Sequence, residues 1–290
     1  MFKSAVDVIE LTEKYSCRIC DIVLMKESKI SEKSKDEIRN KVKYTLEVMK
    51  QSAESGIDVP IKSVSGIIGG NAKKIEDYRK KGSTVCGDII NKAIARALSC
   101  SEVNAAMGKI VACPTAGSCG IVPAAIITSG EIINADEETL IDALLTASGV
   151  GQIIAKNATL SGAEGGCQAE CGSASAMAAA AIVEMFGGTP KMAFNAAAIA
   201  LKNILGLVCD PVAGLVEVPC SKRNAMGVVN AMSSADMALA EIESVIPFDE
   251  VVSAMYKVGK MLPSELRETA LGGLAATPTA IKIAKEINKV

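Results

Sequence analysis

The chain has 290 residues, ten cysteines, no histidine and a net charge of −2 at pH 7. The near balance of charge argues against a nucleic-acid partner, because phosphate contacts require an excess of cations. Without histidine, this chain alone forms no Ser-His-Asp triad, no Cys-His pair and no histidine-ligated zinc or haem site. Although 49% of the residues are hydrophobic, no apolar run is long enough to predict a membrane span.

The N-terminal residues carry charges where a secretion signal needs an apolar core, so we expect a cytoplasmic protein. In a reducing cytosol, thiols are more often buried residues or metal ligands than disulfide partners. We therefore interpret the ten cysteines as free thiols that either pack in the core or bind metal.

Apolar residues recur at helical spacing in four segments, which begin or end with capping or breaking residues. The first begins at the capping box Ser34–Glu37, and Gly56 and Pro60 are predicted to close it. Gly149 is predicted to end the second. Together the four predicted helices cover residues 34–56, 136–149, 248–262 and 279–289.

Two Ala-rich segments, 173–186 and 192–206, are apolar almost all round, which is typical of helices buried at the centre of a bundle. Alternating strand patterns are few, and no hairpin signal stands out. The sequence therefore predicts an all-α fold with a single catalytic domain over residues 1–290, in which residues 1–60 form a peripheral helical layer.

Three segments interrupt the Ala-rich pattern with Gly, Pro, Cys and polar residues, and they contain most of the cysteines: 113–123, 161–171 and 209–224. Because histidine is absent, a metal here would be held by thiolates, which favour iron–sulfur clusters or zinc. Cys209 and Cys220 are predicted on irregular chain, and Cys167 at the start of a helix. From the residues alone, a three-cysteine site and buried thiols remain equal alternatives.

The segment Thr115–Gly120 combines two glycines with a following apolar helix. Such a turn lets backbone N–H groups point at an anion, either a carboxylate or a phosphate. It lacks the Gly-Lys-Ser/Thr ending of a P-loop. A glycine-rich helix connector without a ligand is the alternative interpretation.

At these residues the sequence resembles the α chain of the iron–sulfur-dependent L-serine dehydratases. The resemblance extends over most of the chain and includes Tyr78-Arg79 and Asn104. In this family, gaps of 41 and then 10 residues separate the three cluster ligands, and Cys167, Cys209 and Cys220 reproduce both gaps. The motifs that carry the resemblance are Pro114-Thr-Ala-Gly-Ser-Cys-Gly, Gly162-Ala-Glu-Gly-Gly-Cys-Gln-Ala-Glu and Cys209-Asp-Pro-Val-Ala-Gly-Leu-Val-Glu-Val-Pro-Cys.

The resemblance implies a [4Fe–4S] cluster on Cys167, Cys209 and Cys220, with one iron open to act as a Lewis acid on the substrate hydroxyl. It implies conversion of L-serine to pyruvate and ammonia without pyridoxal phosphate. Cys171, four residues after Cys167, is the rival ligand. The implied carboxylate-binding loop is Thr115, Ala116, Gly117, Ser118, Cys119 and Gly120, and the implied polar residues around the amino group and hydroxyl are Asn104, Glu164 and Asn224.

Single-chain members of this family carry a β domain that this sequence lacks. We therefore expect a hetero-oligomer in which a smaller β subunit completes the enzyme and supplies the catalytic base, a histidine. Some members place a C-terminal cysteine on the open iron, whereas this sequence ends Glu286-Ile-Asn-Lys-Val290, so we expect a different resting ligand.

Two other functions stay open: a cysteine desulfidase-like lyase that uses the same cluster, and a non-enzymatic iron–sulfur sensor or assembly scaffold. The pair Cys17–Cys20 has the spacing of a redox or metal motif, but it lacks a βαβ context. We interpret it as two thiols of a helix.

Overall fold

The computed structural model describes residues 2–287, and within this range it contains thirteen α-helices and no β-strand. The all-α prediction is confirmed. None of the described helices is long and apolar enough to cross a membrane. The helices are α1 Ala5–Tyr15, α2 Ile19–Ser31, α3 Lys35–Asp58, α4 Asn71–Arg79, α5 Gly87–Ala105, α6 Ile121–Ile132, α7 Glu137–Asn157, α8 Gly162–Gly165, α9 Ser173–Met185, α10 Pro190–Lys202, α11 Cys220–Leu239, α12 Phe248–Met261 and α13 Pro278–Ile287.

Helix α9 is the centre of the bundle, as its Ala-rich sequence predicts. Every residue from 173 to 183 is buried, and α6, α7, α10 and α11 pack around it. Small side chains let these helices approach closely. At Gly151 of α7, for example, an added Cβ would lie 3.1 Å from the sulfur of Met177. The three cysteine-containing segments 113–123, 161–171 and 209–224 lie next to the helices of this central group.

The first three helices pack against the rest of the bundle: α1 contacts α10, α2 contacts α7, and α3 contacts α5. Glu184, at the end of α9, accepts hydrogen bonds from the amides of Ile19 (2.6 Å) and Cys20 (3.2 Å) and so caps the start of α2. Val23 and Leu46 belong to the same buried cluster as α9. Cys17 precedes α2 rather than lying inside a helix, because α1 ends at Tyr15.

The predicted helix boundaries are correct where a capping or breaking residue ends the helix, and they are wrong where a glycine is present for packing. The first predicted helix ends at Asp58, between Gly56 and Pro60. Gly149 does not end α7, which continues to Asn157. An added Cβ at Gly149 would lie 2.4 Å from Val23, so this glycine serves the contact between α7 and α2. The second Ala-rich helix ends at Lys202 rather than at 206, and the last part of the predicted helix 279–289 lies outside the described residues.

Candidate functional site

Three elements bring Cys167, Cys209 and Cys220 to one region of the molecule. Cys167 precedes a π-helical turn, Gln168–Gly172, that runs directly into α9. Cys209 lies in the irregular segment after α10, as predicted, whereas Cys220 is the first residue of α11. Each thiol is close enough to the other two for their charges to interact. Cys167 and Cys209 are buried, and Cys220 is half-buried.

The segment that carries Cys209 is fixed by backbone hydrogen bonds to the chain that follows α12. The Cys209 amide donates to the carbonyl of Leu266 (2.9 Å), and the Glu268 amide donates to the carbonyl of Cys209 (2.7 Å). Cys209 and Arg267 thereby form an isolated parallel bridge. The position of this thiol thus depends on a segment more than fifty residues further along the chain.

A cavity of about 470 Å³ lies beside the Cys209 thiol. Its wall combines backbone and small side chains with two carboxylates, and it is formed by residues 115–117, residues 159–162, Glu170, Val216 and Glu268. Gly162 separates the cavity from Cys209, since an added Cβ there would lie 3.0 Å from the Cys209 sulfur. The cavity and the Cys209 thiol therefore lie on either side of this glycine, and Cys167 and Cys220 lie near Cys209.

Glu170 is the buried carboxylate of this cavity wall, and the sequence did not single it out. It is 8% exposed, and burial raises its pKa above the usual value. Its Oε1 accepts a hydrogen bond from the Thr115 hydroxyl (2.6 Å), and its Oε2 lies 3.8 Å from the Cys209 sulfur. The carboxylate therefore links the loop to the thiols. A sequence signal existed: Glu170 follows Cys167 by three residues, almost one helical turn, in a segment otherwise dominated by small residues.

Two glycines make room for the Glu170 carboxylate. An added Cβ at Gly162 would lie 2.6 Å from Oε2, and one at Gly117 would lie 3.1 Å from Oε1. Neither glycine has a positive φ, so both are present for the close approach rather than for a special backbone conformation.

The predicted loop Thr115–Gly120 divides into a half-buried part and a fully buried part. Thr115, Ala116 and Gly117 form part of the cavity wall. Ser118 and Cys119 are buried behind them, and the Cys119 thiol faces the carbonyl of Cys100 (3.8 Å). The backbone N–H groups of the buried part already have partners. Those of Ser118 and Cys119 donate within the turn, and that of Gly120 donates to Asn224. The predicted apolar helix, α6, follows at once.

Asn224 holds the loop in place rather than facing the cavity. Its Oδ1 accepts from the Gly120 amide (2.8 Å), and its Nδ2 donates to the carbonyls of Gly117 (2.7 Å) and Cys220 (2.9 Å). One buried amide thereby joins the predicted carboxylate loop to the helix that begins with a predicted ligand.

The other two predicted polar residues lie outside the cavity wall. Glu164 is exposed on the short helix α8, because the turn that buries Gly162 and Gly165 directs position 164 outward. Asn104 is half-buried at the end of α5, in a neighbouring apolar groove that shares Ala116 and Val216 with the cavity.

The environments of the thiols differ. A hydrogen bond with Cys171, whose sulfur lies 3.4 Å away, and the nearby Arg223 guanidinium lower the pKa of Cys167. Burial raises the pKa of Cys209, and it raises that of Cys220 to about 12. Cys171, the rival ligand, is fully buried, and its pKa is raised well above the usual value by the Cys167 contact and by burial. Cys167 is thus the thiol of this group whose pKa its surroundings lower.

The donor set fits an iron–sulfur cluster better than a single ion. Within residues 2–287, no three Cys, Asp or Glu side chains are arranged to hold one metal ion. In a cluster each thiolate binds a different iron, so its ligands stand further apart than those of one ion. Three free thiols in a chain without imidazole are the donor types that such a cluster takes.

Comparison with known proteins identifies the family. The family model described as "Serine dehydratase alpha chain" matches residues 14–275. The chain belongs to this family. The three segments that carry the cysteines of the site all lie inside the matched range.

Curated relatives of this serine dehydratase alpha chain cover almost its whole length. It is 51% identical to the probable L-serine dehydratase alpha chain of Bacillus subtilis over 99% of this chain and 95% of that protein. It is 50% identical to the L-serine dehydratase alpha chain of Peptoniphilus asaccharolyticus over 100% of this chain and 99% of that protein. L-serine dehydratase 2 of Escherichia coli is 37% identical over 87% of this chain, which corresponds to 57% of that longer protein.

Proposed function

We propose that this chain is the catalytic α subunit of an iron–sulfur-dependent L-serine dehydratase. It would convert L-serine to pyruvate and ammonia, with water lost from the substrate and regained on release of ammonia. The observation that carries the proposal is a group of three neighbouring thiols, of which Cys209 lies beside a cavity with two carboxylates in its wall, in a chain of the serine dehydratase alpha chain family.

Cys167, Cys209 and Cys220 would hold a [4Fe–4S] cluster at the end of the cavity nearest Gly162. When bound, the cluster supplies a Lewis acid for the hydroxyl that leaves the substrate. Arg223 adds a positive charge beside these thiolates. Burial of Cys167 and Cys209 keeps water away from the sulfur ligands.

The cavity wall provides complementary groups for both charges of the amino acid. The half-buried part of the loop, Thr115 to Gly117, would receive the substrate carboxylate with backbone N–H groups, because the Thr115 hydroxyl already donates to Glu170. Glu170 would accept the ammonium group, because it is the buried carboxylate of the wall and lies between the loop and Cys209. The two contacts would orient the substrate hydroxyl toward the thiol end of the cavity.

A smaller β subunit would complete the enzyme and provide the base that removes the α-proton. The absence of histidine from this chain supports that division, as do relatives whose names specify an alpha chain. Residues 1–290 would then form one catalytic domain with residues 1–60 as its outer layer, in a cytoplasmic hetero-oligomer without nucleic-acid or membrane partners.

Turnover of two competing substrates tests the proposal. The chain, co-expressed with the β subunit of its own source and reconstituted anaerobically with iron and sulfide, is assayed for pyruvate from L-serine and for sulfide from L-cysteine. We expect pyruvate and ammonia in equal amounts, lost in Cys167→Ser and when the β subunit is omitted. Preferred sulfide release would indicate a cysteine desulfidase-like lyase, and bound iron without either product would indicate a sensor or scaffold.

A further inference from the structure

The Arg223 guanidinium binds the residues on both sides of Cys209. Its Nη1 donates to the carbonyl of Val208 (2.7 Å), and its Nη2 donates to Oδ1 of Asp210 (2.8 Å). The other oxygen of Asp210 accepts from the Leu274 amide (2.7 Å). The Arg223 and Asp210 side chains are only 13% and 4% exposed, so solvent screens this ion pair weakly.

The same arginine also reaches the other two thiols. Its guanidinium lies near Cys167, which is a second, electrostatic contact. It follows Cys220 by three residues, so both side chains lie on one face of the first turn of α11. Cys167, Cys209 and Cys220 come from three separate segments, and Arg223 is the side chain that connects all three.

We propose that Arg223 is the positioning residue of the three-thiol site: its planar guanidinium fixes the Cys209 segment against α11 and places a positive charge beside the thiolates. This inference rests on the proposed function, because it assigns a role toward the cluster. A lysine would keep the charge but would not provide the two-pronged contact with Val208 and Asp210. The two parts of the role are therefore separable by substitution.

The test compares Arg223→Gln and Arg223→Lys with the wild type and with Arg96→Lys. Arg96 is a matched control, because its buried side chain forms ion pairs with Glu54 and Glu131 rather than with the segments that carry Cys167, Cys209 and Cys220. After anaerobic reconstitution, iron transfer to an excess of a chelator is timed. We expect roughly tenfold to hundredfold faster loss in both Arg223 variants, the usual effect of removing a residue that supports metal ligands, and an unchanged rate in Arg96→Lys.

The reduction potential of the bound cluster separates charge from contact. We expect a lower potential in Arg223→Gln, which loses a positive charge near the sulfurs, and a nearly unchanged potential in Arg223→Lys. If Arg223 only stabilised the fold, the reduction potential of the cluster would not differ between Arg223→Gln and Arg223→Lys.

Hydrogen exchange of the apoprotein tests the positioning without any cluster. We expect faster exchange of the Cys209, Glu268 and Leu274 amides in the Arg223 variants, and unchanged exchange in α9. Asp210→Asn, which weakens the same ion pair, is the further variant if Arg223→Gln does not fold.

Wild-type rates of iron loss and exchange in the Arg223 variants, or equally fast iron loss in Arg96→Lys, would overturn the inference. Failure of the wild type to bind iron would instead refute the proposed function, and the exchange experiment would still decide the role of Arg223.

Discussion

Glu164 and Glu170 show at the residue scale why composition does not identify a functional carboxylate. Both lie in the same cysteine-containing segment, six residues apart. Glu164 is exposed on α8, whereas Glu170 is buried between the Thr115 hydroxyl and Cys209. The resemblance drew attention to Glu164. The structure places only Glu170 in the cavity wall.

Glu170→Gln tests the assignment of the ammonium contact. Loss of a charge-assisted hydrogen bond costs about 1.5–3 kcal/mol, so we expect KM for L-serine to rise by roughly tenfold to hundredfold. Steady-state kinetics of the reconstituted enzyme measures this change, with iron content determined on the same samples. Glu164→Gln is the matched control and should leave KM unchanged. An equal effect of the two substitutions, or an unchanged KM in Glu170→Gln, would contradict the assignment.

Glu76 makes a contribution to stability that depends on pH. Its hydrogen bonds with Arg79 are the main cause that lowers its pKa to about 2. A lowered pKa stabilises the folded state above the unfolded pKa, and this contribution disappears as the pH falls through the folded value. We expect Glu76→Gln to lower the free energy of unfolding by about 3 kcal/mol at pH 7 and by progressively less below pH ~4.5.

Urea unfolding of the apoprotein at several pH values measures this difference. Asp77→Asn is the control, because Asp77 pairs with Lys73 on the surface and its side chain is 51% exposed. Exposed pairs contribute about 0–1 kcal/mol, so its effect should be small. A pH-independent deficit in Glu76→Gln would show that the ion pair is not its cause.

At the scale of elements, Gly149 decides how α7 contacts α2. A free helical position would gain about 1 kcal/mol from Gly→Ala, but here the new Cβ would lie 2.4 Å from Val23. Because valine is stiff and buried, we expect Gly149→Ala to lower the free energy of unfolding by about 1–3 kcal/mol.

The double variant Gly149→Ala with Val23→Ala provides the control. The second substitution removes the clashing methyl, so we expect the double variant to be more stable than the sum of the two single effects. Urea or thermal unfolding of the four proteins measures the coupling. Strict additivity would mean that α2 moves away and that the contact does not constrain α7.

The element boundaries show what sequence reasoning can and cannot reach. The capping box at Ser34 and the proline before α12 are local signals, and the structure confirms both helices. Gly149 looked like a helix end because glycine is a common breaker. Its role depends on Val23, which is distant in sequence and brought near only by the packing of α2 on α7. Local patterns carry no information about such a contact.

At the scale of the whole molecule, the site combines segments whose proximity no single pattern predicts. Residues alone left a three-cysteine site and buried thiols as equal alternatives, and the resemblance selected the ligand set. The structure brings Cys167, Cys209 and Cys220 to one region, in which Cys209 lies beside the cavity. The supporting contacts, from Arg223 and from the segment after α12, arise from tertiary packing and have no signature in the spacing of the cysteines.

Iron and labile-sulfide analysis after anaerobic reconstitution is the most direct test of the three-thiol cluster site. The proteins compared are the wild type, Cys167→Ser, Cys209→Ser, Cys220→Ser and Cys171→Ser, which removes the neighbouring thiol that is not expected to bind iron. We predict about four irons and four sulfides per chain in the wild type and in Cys171→Ser, and loss of the cluster in each of the other three. Full loading of a variant that lacks all three predicted ligands, or no cluster in the wild type, would contradict this account.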